Sequence, residues 1–138
     1  MNVNAKWTFN VNGMYQAPAG IEVSGNLFGR QGYPLPLFRQ GSTAALGVDS
    51  AISVLITPQI DYLRYNNLWD TDLRVARAFK PRIGDSRSLN IRLIGDVFNA
   101  FNANTVLVRG NNIASTSLNV IAQNLSPRIF RVGVVFGF

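Results

Sequence analysis

The stretch Trp69-Asp70-Thr71-Asp72-Leu73-Arg74 sets two carboxylates and a guanidinium at alternate positions. In an extended chain alternate side chains share a face, so Asp70, Asp72 and Arg74 line up together. Two carboxylates on one face can divide the roles of general acid and general base. With a cation beside them, an ion-pair ladder along the strand is the expected outcome. The chain has no His and no Cys, which removes His general bases, Cys nucleophiles, disulfides and zinc sites of the usual kind. Neither a GxxxxGKS/T loop nor a GxGxxG fingerprint occurs. The glycines of "GNLFGRQG" fall inside an alternating pattern, where glycine marks a bend or a close backbone approach. "RVGVVFGF" departs from the RNA-binding RNP1 pattern directly after its first Arg. Formal charge is +6 without any Lys/Arg run, which reads as a solvated positive face. No enzymatic activity, cofactor, metal or nucleic-acid partner is expected.

The elements that carry these residues read as strands. Gly, Asn, Pro and β-branched residues recur, and alternation of period two dominates. Five long strands are predicted, over 6–16, 21–33, 67–80, 87–99 and 127–138. Short turns join the first pair at 17–20 and the third and fourth at 81–86. The connections 34–66 and 100–126 are long. The first has room for a smaller hairpin with arms near 35–39 and 51–57, and its prolines make it irregular or edge-like.

Two features separate this pattern from a soluble sandwich. Connections alternate short, long, short, long, the rhythm of periplasmic turns and extracellular loops in outer-membrane barrels. Hydrophobic residues make up 47% of the chain and charged ones only 14%, against about 25% charged in a typical soluble domain. No stretch approaches the ~20 apolar residues of a membrane helix, but alternation disperses hydrophobicity in a way that a strand can use. The expected fold is all-β: an antiparallel up-and-down transmembrane β-barrel segment, incomplete as a barrel.

In that fold one face of each strand meets lipid, with Trp7, Tyr15, Trp69, Phe79 and Phe138 as interfacial aromatics near strand ends. Phe130, Val132, Val134 and Phe136 give the last strand its lipid face. The other face turns Asn10, Asn12, Arg30, Asp70, Asp72, Arg74, Arg92 and Asp96 to the lumen, together with Lys6, Glu22, Asn26, Asn90 and Arg131. Arg77 alone breaks the apolar face, near a short turn, where a long side chain can snorkel. The alternative is a soluble β-sandwich that binds a ligand or nucleic acid, because such strands alternate too. It would bring Phe9, Val75 and Ile91 into one dry core.

"WDTDLRVARAF", "LNIRLIGDVFNAFNANTVL" and "SPRIFRVGVVFGF" resemble the last strands of TonB-dependent outer-membrane receptors, in the carboxypeptidase-regulatory-like or Oar-like group. "NGMYQAPAGIEVSGNLFGRQGYPLPLF" is similar to the preceding hairpin of those proteins. The resemblance implies a 22-stranded barrel closed by an N-terminal plug, taking up a nutrient across the bacterial outer membrane with energy supplied through TonB. Residues 1–138 then correspond to the C-terminal part of the barrel, with plug and earlier strands absent. An odd number of strands ending in the periplasm agrees with an incomplete barrel. The implied partners are outer-membrane lipid, the rest of the same barrel and its plug, TonB through the N-terminal part, and the barrel-assembly machinery. That machinery would read the terminal strand through Phe130, Val132, Val134, Phe136 and Phe138.

Overall fold

Alternating β-branched and aromatic residues build strands wherever the sequence alternates, and among the described residues there is no α-helix. The computed structural model describes residues 5–42, 51–83 and 87–137. Residues 1–4, 43–50 and 84–86 and Phe138 lie outside the described residues. Two compact units are formed, one of residues 9–29, 69–103 and 126–138, the other of residues 1–8, 30–68 and 104–125.

The first unit is built on a five-stranded sheet. Its strands are β1 (Thr8–Ala17), β2 (Ile21–Arg30), β5 (Leu68–Phe79), β8 (Asn90–Phe98) and β11 (Ile129–Gly137). They lie side by side in chain order, β1-β2-β5-β8-β11, an up-and-down meander. The expected antiparallel all-β architecture with five long strands is present. The sheet does not close into a barrel, and β1 and β11 form its edges. The β1–β2 connection is a single 3-10 turn, Pro18–Gly20, in which Ala19 and Gly20 both take positive φ (63° and 71°).

Register aligns the side chains in rows. Across β5, β8 and β11, the rows Leu73–Val97–Phe130, Val75–Gly95–Val132, Arg77–Leu93–Val134 and Phe79–Ile91–Phe136 share one face. Arg74–Asp96–Arg131, Ala76–Ile94–Gly133 and Ala78–Arg92–Val135 share the other. The apolar face is open: Val75 is exposed, Phe130 is 69% exposed and Val132 83%. Phe9 and Ile91 are half-buried, so no dry core of Phe9, Val75 and Ile91 forms. Among the described residues of this sheet the buried apolar side chains are Ala76, 2% exposed, and Leu68 at the start of β5.

The second unit collects most of both long connections. The expected hairpin is β3 (Phe38–Ser42) paired with β4 (Ala51–Leu55), in register Phe38↔Leu55 to Ser42↔Ala51. A second antiparallel pair joins β9 (Val106–Arg109) to β10 (Ile121–Asn124). The two connections are stitched together at Phe38, whose N–H donates to Asn111 O (2.9 Å) and whose carbonyl accepts from Ile113 N (2.8 Å). Pro34 and Pro36 are buried here. They alternate with residues that do donate or accept, as in Leu35 N to Leu63 O (2.8 Å) and Tyr65 N to Tyr33 O (2.9 Å), so their missing N–H groups break no bond. Around the short turn expected at 81–86, β6 (Arg82–Ile83) pairs antiparallel with β7 (Arg87–Ser88), and residues 84–86 themselves lie outside the described residues.

Candidate functional site

The polar face of the sheet brings most of the predicted polar residues together, but not in the expected pairs. Arg74 does not form a ladder with Asp70 and Asp72 along β5. Its Nε donates to Asp96 Oδ1 on the neighbouring strand at 2.6 Å. Arg131, on the other side of β8, donates through Nε to Asp96 Oδ2 at 2.8 Å. The reason is register. Side chains directly opposite across a ladder stand about 4.5–5.5 Å apart at Cβ, closer than alternate residues of one extended strand. Asp96 is thus flanked by two guanidiniums and is only 6% exposed. The Arg131 guanidinium also lies over the Phe98 ring, 5.0 Å from its centroid.

A second pair crosses a whole strand. Arg92 Nη2 reaches Glu22 Oε1 on β2 at 2.7 Å, passing β5 where that strand presents Ala76 and Ala78. A shallow concavity of about 380 Å3 lies on this sheet, lined by Asn12, Ser24, Asn26, Asp72, Arg74 and Asp96 among others. Asn10 is exposed on β1. Arg30 does not join this group: its Nη1 donates to Tyr33 Oη at 2.9 Å, and the guanidinium stacks 4.0 Å from the centre of that ring. Asp70 is half-buried, and its Oδ1 has no hydrogen-bond partner among the described residues.

Asp72 has a role that reading by faces missed. Its Oδ1 accepts the backbone N–H of Asn99 at 3.1 Å. Asn99, 4% exposed and at φ 47°, is a knot at the end of β8. Its Nδ2 donates to Ala103 O (3.0 Å) and Ser126 O (2.7 Å), and its Oδ1 accepts from Ala103 N (2.7 Å). Asn102, at φ 54°, accepts from Arg128 N at 3.0 Å. The repeated Asn in "DVFNAFNAN" was the available signal, because Asn tolerates positive φ and bonds nearby backbone.

On the apolar face Phe9 and Trp69 meet edge to face, with centroids 5.5 Å apart and planes at 63°. Gly29 makes that possible: a Cβ there would fall 2.6 Å from Phe9 Cε1 and 3.1 Å from Trp69 Cζ3. Tyr15, Trp69 and Phe79 are exposed on β1 and β5, and the Arg77 guanidinium folds over the Phe79 ring at 4.8 Å. Trp7 is exposed too, and its carbonyl accepts from Gln31 N at 3.2 Å. Phe130, Val132, Val134 and Phe136 stand exposed in a row on edge strand β11.

Chemically, the polar strip pairs charges across strands, Arg74 and Arg131 on Asp96 and Arg92 on Glu22. Among the described residues no group of three or more His, Cys, Asp or Glu could hold a metal ion. No protein-family model matches the chain, and no curated protein or solved structure matches it significantly.

Proposed function

We propose that this chain supplies the C-terminal strands of an outer-membrane β-barrel, in a TonB-dependent receptor that takes up a nutrient. One observation carries the reading: the five-stranded meander has one face of exposed aliphatic and aromatic rows and another of ion pairs and amides. In water such an apolar face is a liability for aggregation or association. In a bilayer it is the required surface, because strand pairing satisfies the backbone and the side chains meet hydrocarbon. The long strands have 9, 10 or 12 residues, against about 9–11 for a tilted crossing. Connections alternate short and long in the barrel rhythm. Edge strands β1 and β11 would pair with the remaining strands of the same barrel. Arg77, whose guanidinium lies over the Phe79 ring, would snorkel to the interface in this reading.

The energised-uptake part of the reading rests on the resemblance of "WDTDLRVARAF", "DVFNAFN" and the terminal strand to TonB-dependent receptors. The plug, TonB and the barrel-assembly machinery follow as partners, and the bacterial outer membrane as location. A soluble sandwich would have to cover Val75, Val132 and Val134, and all three are exposed.

The chain lacks Cys, so single cysteines can be placed at will. Spin labels at Val75 and Val132, and at Ala78 and Asn12, in the intact protein in native outer membranes test the reading. Apolar-face labels should collide with dissolved oxygen and polar-face labels with a water-soluble nickel chelate. Equal chelate accessibility on both faces would refute it.

A further inference from the structure

The loop unit holds a cavity of about 510 Å3, within the size range of small-molecule sites. Leu35, Phe38 and Leu107 give it an apolar wall, and Tyr33, Tyr65 and Arg109 bring polar groups to it. These three polar residues are neighbours. Tyr65 N donates to Tyr33 O at 2.9 Å, and Tyr65 Oη accepts the backbone N–H of Arg109 at 2.7 Å. Tyr33 Oη accepts from Arg30 Nη1 at 2.9 Å. Each hydroxyl therefore has an acceptor role filled, while its own O–H proton has no acceptor among the described residues.

Arg109 spends Nη1 on Asn119, on the carbonyl at 3.3 Å and on Oδ1 at 3.0 Å. Its Nε–H and Nη2–H groups have no partner among the described residues. Asn111, also in the lining, turns its amide nitrogen to Pro36 O at 3.0 Å. No carboxylate lines the cavity. Burial pushes the Tyr65 phenol above its ordinary range, against the opposing effect of Arg109, so it remains a protonated donor at neutral pH.

Uncommitted donors, a cation and no acid select an anionic acceptor, and the apolar wall selects a hydrocarbon body. We propose that this cavity binds a small carboxylate with an apolar body. The carboxylate accepts from the Tyr33 and Tyr65 hydroxyls and from Arg109, and the hydrocarbon lies against Leu35, Phe38 and Leu107. The inference concerns the loop unit alone and does not depend on the membrane reading.

Equilibrium binding of phenylbutyrate and of its uncharged amide to the intact protein tests it. The acid should bind about tenfold tighter than the amide, the difference expected for charge-assisted hydrogen bonds. Arg109→Gln and Tyr33→Phe should each weaken the acid by about tenfold and leave the amide unchanged. If Arg109→Gln does not fold, Tyr33→Phe, which keeps the ring, carries the test alone. No saturable binding of the acid, equal affinity for acid and amide, or an unchanged acid affinity in Tyr33→Phe overturns the proposal.

Discussion

Arg92 Nη2 lies 2.7 Å from Glu22 Oε1, although all of β5 separates their strands in the sheet. The pair closes because β5 puts Ala76 and Ala78 on that face, and Ala78 is the register partner of Arg92. A bulky residue there would stand between the charges. Each partner is partly exposed, so the attraction is screened, and a contribution of about 1 kcal/mol or less is expected.

Ala78→Leu should therefore act as a break in the staple without touching either charge. In thermal unfolding of the intact protein, Ala78→Leu and Arg92→Met should each lower stability by about 1 kcal/mol. Their combination should cost little more than either alone, since both remove the same contact. Fully additive losses would show that the pair contributes nothing.

The Phe9–Trp69 contact makes a sharper test, because it depends on one missing atom. Gly29→Ala places a Cβ 2.6 Å from Phe9 Cε1, closer than any real carbon contact. The ring must move, and overpacking of this kind costs about 1–3 kcal/mol. Phe9→Leu in the same chain should recover part of that loss by freeing the space. Trp69 fluorescence should shift in Gly29→Ala and return toward the wild-type spectrum in the double variant. An unshifted spectrum in Gly29→Ala would show that the two rings do not constrain each other.

The strands were legible because alternation is a local property. Trp7 to Tyr15, Leu73 to Phe79 and Phe130 to Phe136 repeat every second residue, and the observed strands follow them within a few positions. Which residues share a face was legible for the same reason. Which residues pair was not. Asp70, Asp72 and Arg74 are adjacent on their face in sequence, but Arg74 meets Asp96, because cross-strand neighbours depend on register. The carboxylate of Asp72 was readable as charge and not as an acceptor for a turn, since Asn99 is separated from it by a hairpin. The loop cavity draws Tyr33, Tyr65 and Arg109 from two connections far apart in the chain, and no spacing rule joins them.

Asn99 should be among the least replaceable residues of the sheet unit. Its side chain satisfies Ala103 N, Ala103 O and Ser126 O, and its φ of 47° suits Asn or Gly. Asn99→Ala leaves those groups unpaired and keeps a Cβ in the left-handed region, for a loss of about 3 kcal/mol or more. Asn99→Gly removes the same bonds but relieves the backbone, so it should lose measurably less. Limited proteolysis between residues 100 and 128, with thermal unfolding, reads both effects. Equal stability of the Ala and Gly variants would remove the backbone part of the argument.

The last prediction separates a lipid-facing sheet from a water-facing one. Val132 and Val135 lie three residues apart on β11 and on opposite faces, opposite Gly95 and Arg92 respectively. Both are exposed, so in water an Arg at 132, or a Glu at 135 opposite Arg92, should change stability by no more than about 0.5 kcal/mol. In a bilayer the two positions differ. Arg at the midplane of a lipid face costs about 2–4 kcal/mol, whereas lumen positions accept charge. Val132→Arg should therefore reduce the folded, surface-exposed protein severely, while Val135→Glu, whose charge faces Arg92, should leave it near the wild-type level. Surface protease accessibility and heat-modifiable migration of the intact protein measure this. Normal levels of Val132→Arg would place that valine in water and end the membrane reading of β11.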